Sequence, residues 1–150
     1  MNIRNAVQDK DPKNRDFYEK NFSQTLKVLE TYKEKLKSVD NQLSNYEFII
    51  VEDELNYFVK YNNLKMVDVG LGENNIITLN SSQRENLQQK SNRGNLIVLY
   101  SDDSVVKNNE VLLKKYNIPA VKLEIYNGDF SYEETLDHNI SQLESIYKPQ

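Results

Sequence analysis

The acidic residues that could do chemistry in this chain stand directly after its apolar runs. Glu52, Asp53 and Glu54 follow Phe48-Ile49-Ile50-Val51, Asp102 and Asp103 follow Leu96-Ile97-Val98-Leu99-Tyr100, and Asn127 and Asp129 follow the run from Ala120 to Tyr126. A rim of hard oxygen donors suits a divalent cation, and an ion of the manganese type accepts carboxylates together with imidazoles. Acids after strands also cap helices and complement the helix dipole, and that role accounts for Asp102, Asp103 and Ser104. It does not account for Glu52, which sits before the capping position that Asp53 can fill, at the end of the most apolar strand. Ligands of open α/β sheets bind outside the carboxyl ends of strands, so Glu52 is the leading candidate for a site.

Other chemistries find little support. His138 is the sole histidine and falls mid-helix beside an apolar face, where catalysis or ligation would need partners its neighbours do not supply. There is no cysteine, no glycine-flanked serine at a strand-to-helix elbow, and the four glycines are dispersed rather than gathered in a phosphate loop. No enzyme is expected. A formal charge of -4 with interspersed signs argues against binding a phosphate backbone, so nucleic acid is not an expected partner. The absence of cysteine excludes disulfides and thiolate metal sites. No run approaches membrane-spanning length, and the first residues show no apolar signal region; the chain as written is expected to carry no export signal of its own.

These acids must be positioned by a core, and 150 residues with 38% hydrophobic and 10% aromatic content suffice for one of ordinary size. Met1 to Lys10 is a polar lead in which Ile3 and Val7 make one helical turn. Pro12 suits the first turn of a new helix with Asp11 as its cap. From there to Leu43 an amphipathic stripe runs through Tyr18, Phe22, Thr25, Leu29, Tyr32, Leu36 and Val39, widened by Phe17, Leu26 and Val28. That width favours a helix packed along a domain over a self-associating coil. Phe48 to Val51 and Leu96 to Tyr100 are continuous and apolar, the pattern of central strands covered on both faces. Leu55, Phe58 and Val59 predict a helix after the first. Met66 to Leu71 alternates like a strand nearer an edge, and Ser81 or Ser82 with Gln83 and Glu85 opens a short helix. Ser101 to Ser104 caps the next helix, Asn117-Ile118-Pro119 stops it, and Ala120 to Tyr126 is a fourth strand. Ser131 with Glu134 forms a capping box before a helix whose face is Leu136, Ile140, Leu143 and Tyr147. The fold class is α/β: a long N-terminal helix, then a four-stranded parallel sheet with right-handed crossovers and helices on both faces. Residues 1–45 form the helical region and residues 46–150 an α/β lobe, packed with it as a single domain.

Asp11-Pro12-Lys13-Asn14 with Phe17-Tyr18-Glu19-Lys20-Asn21 resembles the Asp-Pro-x-Asn, Tyr-x-x-Asn stretch that opens the long linking helix in solute-binding proteins of manganese and zinc ABC importers. Ile49-Ile50-Val51-Glu52-Asp53 with Tyr57-Phe58 is similar to that family's second-lobe strand, its metal ligand (Glu or His) and the aromatic pair that follows. Leu96 to Val105, Asn117-Ile118-Pro119, and Tyr132 with His138-Asn139-Ile140 continue the likeness in order across nearly the whole chain. The resemblance implies that these residues are the second, carboxy-terminal lobe plus the linking helix. In the family a metal lies between two lobes, held by two histidines from the first and by a Glu or His and an Asp from the second. Glu52 matches the first of the second-lobe ligands. The family's loop after the fourth strand is shortened here, so Asp129 is either the Asp ligand or the counterpart of a later Gly-Asp; Asn62 and Asn63 stand where Tyr-Gly is usual. The resemblance further implies a divalent transition metal, Mn or Zn, bound weakly by this chain alone. It implies an ABC permease or a separate first lobe as partner, a place on the extracellular face of the membrane, and self-association through the long helix. The alternative is a lobe without metal affinity that serves as a protein-interaction module.

Overall fold

In the computed structural model, which describes residues 3–147, Pro12 parts the chain's first helix from its longest. Residues 1–2 and 148–150, the ends of the two expected segments, lie outside the described residues. The chain divides into two compact units, Met1–Leu36 and Lys37–Gln150. In the first, α1 (Ile3–Lys10) is longer than the single turn expected, and α2 (Arg15–Leu43) begins after a short 3-10 turn, Pro12–Asn14. Asp11 stands at the capping position without a side-chain bond to the backbone. Its carboxylate instead accepts from Asn14 Nδ2 at 2.8 Å and Tyr18 Oη at 2.9 Å, and these two bonds hold it below the usual carboxylate range. Arg4 lies over the Phe22 ring, 4.7 Å from its centroid, and reaches Glu19 at 3.3 Å, while Gln8 donates to Glu19 at 3.0 Å.

The second unit is built on the two continuous apolar runs. β1 (Glu47–Ile49), β4 (Leu96–Tyr100) and β5 (Ala120–Lys122) form a parallel sheet in the order β1-β4-β5, with Phe48 opposite Ile97 and Val98 opposite Ala120. Successive side chains of β4 point to opposite faces, and both faces are covered. Leu96 and Val98 join Ile49 in a cluster with Leu87 of α4 (Ser81–Ser91), Val105 of α5 (Asp103–Asn108), and Leu113 and Tyr116 of α6 (Glu110–Tyr116). Ile97 and Leu99, on the other face, are as thoroughly buried, and α7 (Tyr132–Ser145) supplies buried Ile140 and Leu143 and contacts β5. Fully burying a side chain such as Ile49 or Leu99 stabilises by roughly 1.5–3 kcal/mol, which is why these runs make the centre of the sheet.

The parallel sheet has three strands rather than four. Between Met66 and Leu71 only one bridge forms beside β1: Phe48 donates its N–H to Lys65 O and accepts from Val67 N, both at 2.8 Å. The chain then turns away, and β2 (Gly70–Leu71) pairs antiparallel with β3 (Ile77–Thr78) in a separate two-stranded ribbon. Gly70 permits that pairing, since a Cβ there would lie 2.5 Å from Thr78 Oγ1. A local antiparallel partner closes a shorter loop than a further parallel strand would. α4 is capped by Asn80, one residue earlier than expected, in a capping box with Gln83. The helix after β4 is divided at Asn109, a buried side chain that accepts from Ile77 N at 2.7 Å and donates to Asn75 O at 2.9 Å and Val105 O at 2.8 Å. It ties the β2-β3 ribbon to the helix break. The Ser131–Glu134 capping box forms as the sequence predicts.

Candidate metal centre

Beyond β1 the chain stays buried through Ile50 and Val51, and Glu52 ends the run at 5% exposure. A 3-10 turn, Asp53–Leu55, and the helix α3 (Asn56–Tyr61) follow at once. The Glu52 side chain caps neither. It crosses to the neighbouring strand's end, where the turn between β4 and α5 presents a row of donors. Ser101 N donates to Oε2 at 2.7 Å, Ser101 Oγ to Oε1 at 2.7 Å, and Asp102 N to Oε1 at 2.9 Å. Charge-assisted bonds of this length are the strong ones. A carboxylate offers about four lone-pair sites, so Oε2 retains capacity for one more partner while its orientation is fixed.

Asp102 caps α5, accepting from Ser104 N at 2.8 Å, and that backbone bond holds its pKa below the ordinary value. Asp103 pairs with Lys122 Nζ at 3.1 Å, and that contact raises the lysine's pKa. These residues border an open depression of about 400 Å³ at the carboxyl end of the sheet, together with Ser101, Glu124 and Asn127. Asp129 is exposed and does not border it; it closes a small turn on Asn127, with Asn127 Nδ2 donating to Oδ2 at 2.8 Å and Asp129 N to Asn127 Oδ1 at 3.0 Å. Gly128, at φ +93, makes that turn possible.

Glu124 is the acid that the sequence reading passed over. It lies just past β5, as Glu52 lies past β1, and its backbone is gripped from both sides by the buried amide of Asn139: Glu124 N donates to Oδ1 at 2.7 Å and Glu124 O accepts from Nδ2 at 2.9 Å. An asparagine on the α7 face beside Ile140 was the available signal. His138, its neighbour, is exposed. Among the described residues no group of three or more His, Cys, Asp or Glu side chains converges closely enough to hold an ion. Among the described residues the unit therefore offers carboxylates at the carboxyl end of the sheet and no complete cage.

The family model described as the periplasmic component A of zinc-uptake complexes, ZnuA, matches residues 1–146. Among solved structures, the metal-dependent lipoprotein YcdH from Bacillus subtilis is similar over 94% of this chain and 56% of its own, at 17% identity and a TM-score of 0.70. A Zn(II)-bound mutant variant of AdcAII from Streptococcus pneumoniae is similar over 97% and 56%, at 18% identity and a TM-score of 0.67. The laminin-binding protein Lbp of Streptococcus pyogenes is similar over 97% and 58%, at 20% identity and a TM-score of 0.64. The chain thus spans about half the length of the structures it matches. No curated protein is similar enough in sequence to count as a match.

Proposed function

The chain belongs to the zinc-uptake complex component A family, and on that premise we propose that it supplies the metal-facing second lobe and linking helix of a solute-binding component for zinc or manganese uptake. The observation that carries this reading is Glu52: a buried carboxylate at a strand's carboxyl end, with three donors fixing its orientation and one lone-pair direction left over. A second carboxylate, Asp129 or Glu124, joins it, and the imidazoles come from a first lobe. The cargo passes to an ABC permease, and the proposal places the chain on the outer face of the membrane. Among the described residues no helix is long and apolar enough to cross one.

Two carboxylates leave a transition-metal ion mostly hydrated, so affinity should be on the order of 100 μM or weaker. Calorimetric titration of Zn and Mn into the wild type and into Glu52→Gln, Glu124→Gln and Asp129→Asn is expected to show weak wild-type binding that Glu52→Gln abolishes. Whichever of the other two variants also loses heat identifies the second carboxylate. Equal binding by the wild type and Glu52→Gln would place the site elsewhere. No binding by any would favour the interaction module, a reading supported by the three bonds already on Glu52 and by Lys122 beside the acids of the rim.

Self-association is part of the proposal. In the first unit Ile3 is 83% and Phe17 59% exposed, and Ile3, Val7, Tyr18 and Phe22 line an apolar groove with Arg4. Exposed apolar surface of this kind seeks a partner. Light scattering across a concentration series should show mass rising above the monomer, and Phe17→Glu should reverse it; a monomer at every concentration would remove this element.

A further inference from the structure

A pocket of about 370 Å³ lies between the last turns of α2 and the turn after α3, lined by Lys37, Asp40, Tyr61, Asn62, Leu64 and Lys65, with Leu43 and Ser44. Two of its acceptors have no hydrogen-bond partner among the described residues. Asn62 is 6% exposed; its Nδ2 donates to Phe58 O at 2.9 Å, whereas its Oδ1 is buried and accepts nothing. The Asp40 carboxylate is half-buried, and burial pushes its pKa up to about 6. Lys65 turns its ammonium to the Ser44 carbonyl. Buried acceptors are normally satisfied, and an orphaned one asks for an explanation.

We propose that this pocket binds a guanidinium group, held at two points by the Asp40 carboxylate and at a third by Asn62 Oδ1. A guanidinium presents five N–H donors in a flat fork, matches a carboxylate at two points and is more weakly hydrated than an ammonium, so it suits a half-buried acid. Tyr61 offers a ring and Leu43 and Leu64 offer apolar surface for its flat face. A bare divalent ion fits worse, because the pocket supplies a single carboxylate where such an ion takes several oxygen ligands, and far more room than an ion fills. The guanidinium comes either from free arginine, whose own carboxylate would meet Lys37, or from an arginine side chain of a protein partner, which would leave Lys37 unused.

The test is an amide-detected NMR titration of the full chain with L-arginine, argininamide and citrulline, the last being the neutral counterpart of arginine. The two guanidinium ligands should shift the Asn62 side-chain amide saturably, with a Kd of about 1 mM for so few contacts, and citrulline should not. Asp40→Asn should weaken binding about tenfold or more, the loss of one charge-assisted pair, and its melting temperature, expected at or above the wild type's, shows that the fold is kept. Tighter binding of arginine than of argininamide supports the free amino acid; the reverse, or equality, supports a partner's side chain. Equal shifts by citrulline, no saturable shift, or an Asp40 carboxyl titrating in the ordinary carboxylate range in the free protein, the sign that Lys37 already pairs with it, would each overturn the proposal.

Discussion

Glu52→Ala is expected to lower the melting temperature by roughly 6–12 °C, because the substitution strips the acceptor from three donors at once. Ser101 N, Ser101 Oγ and Asp102 N all end on that carboxylate. A buried donor left without a partner costs about 1–3 kcal/mol. Water entering from the neighbouring depression satisfies part of the turn, so a total of about 3 kcal/mol is the reasonable expectation rather than the sum of three full penalties. For a chain of this size each kcal/mol moves the midpoint by about 2–4 °C. Glu52→Gln keeps the shape and one acceptor oxygen, and should cost about half as much. The comparison bears on the metal experiment: loss of binding in Glu52→Ala would mix a missing ligand with a loosened turn, whereas Glu52→Gln with a near-native melt reports on the ligand. A Glu52→Ala melt within about 2 °C of wild type, measured by circular dichroism, would mean that the carboxylate does not hold the turn.

The same bonds show where sequence reading stops. β1 and β4 are legible because a continuous apolar run has one good explanation, a strand buried on both faces. Glu52 is legible as an acid at such a strand's end that helix capping leaves over. What is not legible is where its oxygens go, since Ser101 and Asp102 are 49 and 50 residues further along the chain, and their N–H groups carry no side-chain signature. Met66 to Leu71 alternates as a strand should, yet alternation is silent about the partner, and the nearby Ile77-Thr78 captures Gly70-Leu71. Asn80, Ser81 and Ser82 are all good caps by residue type; only the reciprocal bond with Gln83 singles out Asn80. Glu124 was hidden in a run that mixes Lys122 with Val121 and Leu123, so the end of the strand could not be placed to the residue.

Asn139→Ala should then cost about 2–3 kcal/mol, although both hydrogen bonds of the side chain go to backbone groups and neither to a carboxylate. Its amide accepts from Glu124 N at 2.7 Å and donates to Glu124 O at 2.9 Å, satisfying both backbone groups of the residue just past β5, where the ladder with β4 has ended. Alanine leaves that N–H and C=O half-buried and unpaired and opens a small void beside Ile140 and Leu143. The expected fall in melting temperature is roughly 4–12 °C. Asn139→Asp separates the two bonds. It keeps an acceptor for Glu124 N but sets a carboxylate oxygen against Glu124 O, so its loss should be greater at neutral pH than at a pH low enough to protonate the new acid, which can then donate. His138→Ala is the control one position away: the imidazole is exposed, and its removal should stay within about 0.5 kcal/mol of wild type. If Asn139→Ala melts like His138→Ala, the amide does not fix the Glu124 segment. If it melts low and the protein still folds at 25 °C, Glu124 should be mobile in amide exchange. Metal affinity should fall with it where Glu124 is the second carboxylate, which ties the one buried asparagine of α7 to the rim it positions.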